Sequence, residues 1–158
     1  MVVVMTSSEW LQMCAWAGDV TRSASTHGAR VVQTACSEER IAFAIAFDDA
    51  TARSGFEIDV HRPSGSWSAA LGLHVSISDY DIEPLWMQAL QRAVAAGGWR
   101  ERVHRPRWLG PTQYEAELDV LGRPELFRGT LTPTPWWGAS YAEVTEHSPW
   151  SKRVGDST

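Results

Sequence analysis

One feature constrains this sequence more than any other: large apolar side chains alternate with polar or small ones. Between residues 40 and 47, the large apolar side chains of Ile41, Phe43, Ile45 and Phe47 alternate with alanines. Because successive side chains of a β-strand point to opposite faces of a sheet, this period of two predicts a strand with one heavy apolar face. The same period recurs at residues 56–61, 71–77, 112–122, 125–133 and 138–147. The chain must therefore build much of its core from sheet.

Short turns separate the predicted strands. Pro63, Ser64 and Gly65 form a turn signal between residues 56–61 and 71–77, which predicts a hairpin. Consecutive strands joined in this way favour antiparallel pairing.

Helical spacing appears in two places. Thr6 and Glu9 match a capping box, and the apolar run behind them predicts a short helix that stops at Gly18, followed by a mobile connection over residues 19–28. A second amphipathic helix is predicted over about residues 82–96, with Asp81 as its N-cap and Gly97 just beyond its end.

These elements predict an α+β fold. We expect a mainly antiparallel sheet packed against the amphipathic helix at about 82–96, with a short N-terminal helix. The length of 158 residues fits a single globular domain, 1–158, with a flexible tail from about residue 151.

Composition narrows the class of protein. The two cysteines, Cys14 and Cys36, make no metal-binding pattern, which favours a reducing cytoplasmic location and leaves a single disulfide open. The sequence has neither a signal-peptide pattern nor an apolar run that could span a membrane. Of the 14 basic residues all but Lys152 are arginine, a bias typical of a GC-rich bacterial genome.

Common catalytic and phosphate-binding motifs are missing from the sequence. The five histidines are not spaced like metal ligands on a helix, so we expect no metal and no cofactor. The missing motifs favour a binding protein over an enzyme.

The segment Ala95–Pro111 combines basic and aromatic residues. It predicts a loop whose ends are held by Trp99 and Trp108, with arginines that are solvated or paired with nearby carboxylates. Arg105, Arg107 and Trp108 are candidate binding residues within it. Nucleic-acid binding is disfavoured, because the segment is short and the rest of the chain is strongly acidic.

Glu115, Glu117 and Asp119 alternate along one predicted strand, so their side chains share a face. The simplest interpretation is a solvent-facing side opposite a buried one. A second interpretation is an acidic surface for a basic partner, and a third, less favoured, is a glycosidase-like carboxylate pair.

Two adjacent tryptophans, Trp136 and Trp137, point to opposite faces if their segment is extended. The outward ring could contribute to binding, since tryptophan is enriched at the energetic centres of interfaces. A purely structural role is the alternative.

The net charge of -5, the nine tryptophans and the acidic strand together favour a non-enzymatic, cytosolic protein-binding module. One specific form is an immunity- or antitoxin-like protein that neutralises a basic partner. The alternative is a small-molecule-binding protein or enzyme with a tryptophan-lined pocket between sheet and helix. The sequence leaves the oligomeric state open.

Overall fold

The structure, a computed structural model, describes residues 5–49, 52–105, 111–130 and 141–152. Within these residues the chain forms two helices and two antiparallel sheets, which confirms the α+β class. In chain order the elements are α1 (Ser7–Thr26), β1 (Arg30–Cys36), β2 (Arg40–Ala46), β3 (Phe56–His61), β4 (Ser66–Leu71), β5 (Val75–Asp79), α2 (Pro84–Ala96), β6 (Trp99–Arg105), β7 (Gln113–Val120), β8 (Arg123–Thr130) and β9 (Tyr141–His147).

The N-terminal helix is longer than the sequence predicts. The capping box between Thr6 and Glu9 is confirmed, but α1 continues through Gly18 to Thr26, so the predicted connection over residues 19–28 is wrong. Burial of Val20, Thr21 and Ala24 stabilises the extra turns. Burial of this apolar side outweighs the low helix propensity of glycine and of the short polar residues.

The first sheet contains β1 to β5, each antiparallel to the strand before it. Its register pairs Phe43 with Ile58 and Ile58 with Ala69, so the apolar residues of neighbouring strands share one buried face. The run at 71–77, predicted as one strand, is divided by a turn. Gly72 has φ +61°, which ends β4 at Leu71 and lets β5 begin at Val75.

The second helix agrees with its predicted range except at its start. Its N-cap is Glu83, which makes no side-chain capping hydrogen bond, so the predicted cap at Asp81 is wrong. The backbone carbonyl of Asp81 instead accepts a hydrogen bond from Trp67 Nε1 at 2.7 Å. Gly97 ends the helix with φ +67°, as predicted.

The second sheet has the strand order β8-β7-β6-β9. Its inner strand β6 lies within the segment Ala95–Pro111, so the predicted loop is wrong for residues 99–105. Trp99, Glu101 and Val103 are buried and alternate with exposed residues, and this alternation makes the segment a strand.

The helix α2 lies between the two sheets. The ring of Trp86 contacts Trp67 of β4 on one side and Phe127 of β8 on the other. Trp67 and Trp99 are both buried in the core, and the burial of Trp99 confirms it as an anchor of the segment Ala95–Pro111. The two sheets therefore share one apolar core, and the buried side of α2 packs against it.

A disulfide joins Cys14 of α1 to Cys36 of β1 and answers the question that the sequence left open. Nearby, Trp10 Nε1 donates a hydrogen bond to the Ser37 carbonyl at 2.7 Å. The helix is thus attached to the first sheet both covalently and by packing. Among the described residues, neither helix is both apolar and long enough to cross a lipid bilayer.

Candidate functional site

The second sheet has one face packed on the core and one face exposed. The inner side carries Ala116, Leu118 and Val120 of β7, which are buried, and α2 packs against this strand. The opposite side, which we call the outer face, carries the alternate residues of the same four strands. Glu115, Glu117 and Asp119 lie on it, as their predicted alternation requires.

The strand register arranges the outer face in rows that cross all four strands. From β8 to β9, the first row is Leu126, Glu117, Arg100 and Glu146; the second is Arg128, Glu115, Arg102 and Val144; the third is Thr130, Gln113, His104 and Ala142. Side chains directly across from each other in such a row are close enough to interact.

Arginines on the neighbouring strands lie directly across from two of the predicted acidic residues. Glu115 lies between Arg128 and Arg102, and Glu117 lies opposite Arg100. The Arg128 Nε atom is 3.0 Å from Glu115 Oε2, and Arg100 Nε is 3.6 Å from a Glu146 carboxylate oxygen. The outer face is therefore a surface of mixed charge rather than an acidic one.

Two charged side chains near the centre of the outer face have no ionic partner. Within the described ranges, neither Arg102 nor Glu117 makes an ion pair or a side-chain hydrogen bond. Both are exposed. They remain available to charged groups of another molecule.

Two apolar side chains lie at opposite ends of adjacent rows. Leu126 on β8 is 43% exposed and Val144 on β9 is 51% exposed. Single exposed apolar residues are common, but here they flank a charged centre on one continuous sheet face. That arrangement makes the outer face a candidate docking surface.

Two clefts open on or beside the outer face. One, of about 600 Å³, is next to the end of α2, where Trp99, Arg100 and Asp119 contribute to its walls. The other, of about 680 Å³, crosses the sheet between His104, Arg128 and Val144. Both are lined by Arg102 and Glu115, so these two residues are accessible from either side.

A buried hydrogen-bonded pair holds the second sheet to the first. Glu101, on the inner side of β6, accepts a hydrogen bond from His147 Nε2 of β9 at 2.6 Å. Its carboxylate also accepts the backbone N–H groups of Leu73 (2.8 Å) and His74 (3.0 Å), in the turn between β4 and β5. Burial raises the pKa of Glu101, but these hydrogen bonds outweigh burial and bring the pKa below its ordinary value.

The same pair is out of reach of a substrate. The side chains of His147 and Glu101 are 0% and 1% exposed. We therefore interpret the pair as a structural link that sets the orientation of β6 rather than as a catalytic dyad. By fixing Glu101 inward, it directs the neighbouring Arg100 and Arg102 outward.

The remaining predicted site residues fall in different places. Arg105 ends β6 and belongs to the inner side of the alternation, with Glu101 and Val103. Arg107, Trp108, Trp136 and Trp137 lie outside the described residues. Their predicted roles in binding stay predictions.

Several residues of the outer face were missed by the sequence reasoning. Residues 99–105 already show the signal, because Arg100, Arg102 and His104 alternate with Trp99, Glu101 and Val103. The flanking glycines and the arginines suggested a loop and concealed this period of two. The link between Glu101 and His147, 46 residues apart, leaves no local signal.

In the described part of the chain, no group of three or more histidine, cysteine, aspartate or glutamate side chains is placed to hold a metal ion. Comparisons of the chain with protein-family models, with curated proteins and with solved structures found no match.

Proposed function

We propose that this chain is a non-enzymatic protein-binding module that docks its partner on the outer face of the second sheet. The observation that supports this best is the pair of exposed apolar residues, Leu126 and Val144, on either side of a charged sheet surface. Interfaces of this kind bury a few apolar and arginine side chains at their centre and keep polar groups around them. Arg102, without an ionic partner, is the arginine best placed for that role.

The chemistry of the partner follows from charge. The net charge of -5 supports a basic partner at long range, as in an immunity- or antitoxin-like protein that neutralises a basic effector. At short range, Glu115 and Glu117 each have an arginine directly across the sheet. The partner must therefore match both signs of charge, which gives specificity more than affinity.

A capture experiment from the native cells tests the proposal. The wild-type chain should retain a partner in stoichiometric amounts. The double variant Leu126→Asp/Val144→Asp should lose it, because two charges replace the apolar contacts. A matched control, Ser68→Asp/Ser76→Asp, places the same charges on the exposed side of the first sheet and should bind like wild type. Equal capture by both variants would rule out the outer face as the docking surface.

A small-molecule-binding protein is the second candidate. The two clefts that share Arg102 and Glu115 favour it, since they place charged groups beside the walls of a concave surface. A thermal-shift screen of metabolites separates the candidates, because a ligand that binds only the folded chain raises its melting temperature. Loss of that shift in Arg102→Ala would favour this candidate over a protein partner.

The cytoplasmic location that the sequence predicts stays a proposal. The Cys14–Cys36 disulfide is the observation that weighs against it, because cytosolic thiols are kept reduced. Alkylation of free thiols in intact cells, before extraction, tests the location directly. Two alkylated cysteines per chain would support a reducing compartment, and none would support an oxidising one.

A further inference from the structure

We infer that the outer face binds a second copy of this chain in a two-fold symmetric dimer, with the symmetry axis parallel to the strands and between β6 and β7. The inference rests on the proposed function because it uses the same outer face, but the partner it names is a second acidic copy, matched by local charges rather than by a basic net charge. It follows from the order of charges across the sheet.

The central strands of the outer face carry stripes of opposite charge. β6 presents the positive charges of Arg100 and Arg102, and β7 presents the negative charges of Glu115, Glu117 and Asp119. Neighbouring strands are about 4.8 Å apart, and the two stripes lie side by side in the first and second rows, where Arg100 is across from Glu117 and Arg102 is across from Glu115. A surface with adjacent positive and negative stripes is complementary to itself once the two stripes are exchanged.

A two-fold rotation about an axis parallel to the strands makes this exchange. It lays β6 of one copy over β7 of the other and keeps each row opposite the same row. Arg100 then faces Glu117 of the second copy, and Arg102 faces Glu115 of the second copy. By symmetry each contact occurs twice, as in any isologous interface.

The charge pattern also selects this axis over the perpendicular one. An axis along the rows would lay the row of Glu117 and Arg100 over the row of Glu115 and Arg102. Carboxylate would then face carboxylate, and guanidinium would face guanidinium. Like charges in direct opposition are unfavourable, so only the axis parallel to the strands is consistent with the surface.

The dimer supplies what a single chain lacks. Glu117 and Arg102 have no ionic partner among the described residues, and each gains one from the second copy. The partners they gain, Arg100 and Glu115, already have carboxylate and guanidinium neighbours within the chain, so the new contacts extend existing pairs into networks. At the ends of the rows, Leu126 faces Glu146 of the second copy and Val144 faces Arg128 of the second copy.

The size of the face sets the strength of the dimer. Four strands at about 4.8 Å spacing and seven to eight residues at about 3.4 Å give roughly 19 by 25 Å. Two such faces bury about 950 Å² in total, which is below the range of stable specific interfaces and within that of weak, transient ones. We therefore expect a weak dimer that salt weakens further by screening its exposed charges.

Charge exchange provides the sharpest test. Arg102→Glu places glutamate opposite Glu115 of the second copy, and Glu115→Arg places arginine opposite Arg102. Each variant alone should dissociate at least tenfold more readily than wild type in sedimentation equilibrium. An equimolar mixture of the two should associate again, because both contacts of the mixed dimer then join opposite charges.

Arg92→Glu and Glu57→Arg form the matched control pair. They make the same changes in net charge at exposed positions on α2 and on the first sheet. Each should dimerise like wild type, and their mixture should gain nothing. Circular dichroism melts confirm that all four variants are folded. If the control variants dissociated singly and associated again when mixed, overall charge rather than the outer face would drive the association.

A wild-type chain that stays monomeric up to about 1 mM at low salt would overturn the inference. So would variants Arg102→Glu and Glu115→Arg that dimerise as tightly as wild type. If the chain is monomeric and Leu126→Asp/Val144→Asp still loses a captured protein, the dimer alone is wrong and the proposed function stands. If the chain dimerises and no other protein depends on the outer face, self-association is the whole of its binding.

Discussion

The Glu101 carboxylate accepts a hydrogen bond from His147 Nε2 over 2.6 Å in the interior, and the same carboxylate caps the turn between β4 and β5. One side chain thereby connects three separate parts of the chain. Because β6 and β9 both contribute to the outer face, this interior pair also fixes the surface on which the proposed function depends.

Replacing Glu101 tests this link. Glu101→Gln removes the charge that three donors share and leaves a buried amide with a mismatched donor, so the free energy of unfolding should fall by about 2–4 kcal/mol. Chemical denaturation measures the change. Glu117→Gln, at an exposed position without an ion pair in the described residues, should cost about 0.5 kcal/mol or less. Equal losses in the two variants would contradict the assignment.

Stability should also depend on pH through Glu101. Its pKa is lowered on folding, so it contributes its full stabilisation above the unfolded pKa, about 4.3, and loses it as the pH falls from there through the folded pKa. The free energy of unfolding, measured between about pH 6 and pH 2.5, should therefore fall more steeply with decreasing pH for wild type than for Glu101→Gln.

Two other carboxylates also make the free energy of unfolding fall at acid pH. The pKa of Asp59 is lowered by its hydrogen bond from Arg40, and that of Glu9 by the backbone N–H of Thr6. Both are present in wild type and in Glu101→Gln, so the difference between the two curves isolates Glu101. Parallel curves would show that its charge does not stabilise the fold.

The disulfide should contribute measurably to stability. Cys14 and Cys36 are 22 residues apart. Closing a loop of that length restricts the conformations of the unfolded chain and so raises its free energy by about 3 kcal/mol. Cys14→Ser/Cys36→Ser should lower the free energy of unfolding by this amount, and reduction of the wild type should do the same. Free thiols in the folded, unreduced protein would show that the bond does not form.

Gly72 should tolerate substitution less well than Gly122. Both have positive φ, +61° and +72°, so alanine is strained at either position, by about 1–2 kcal/mol. A Cβ at Gly72 would also collide with the Glu101 carboxyl group, whereas nothing lies within 4 Å of a Cβ at Gly122. Gly72→Ala should therefore cost a further ~1–3 kcal/mol in thermal or chemical unfolding. Similar costs would mean that the carboxylate moves aside freely.

The strands and the second helix were largely predictable because their signals are local. The alternation of Ile41, Phe43 and Ile45 requires only that one side of a strand be buried, and the structure buries that side. The face shared by Glu115, Glu117 and Asp119 follows from the same period. What surrounds that face could not be predicted, since Arg100 and Arg102 reach it only through strand pairing.

The sequence by itself determined where side chains alternate, where α2 ends at Gly97 and which residues start α1, because these depend on neighbours a few positions away. Only the tertiary structure decided that α1 continues past Gly18, that residues 99–105 form an inner strand, and that Glu101 meets His147. Each of these depends on burial against residues distant in the chain. The free energy of that burial exceeds the local preferences of glycine and of short polar side chains, which is why local patterns alone predicted a loop in both places.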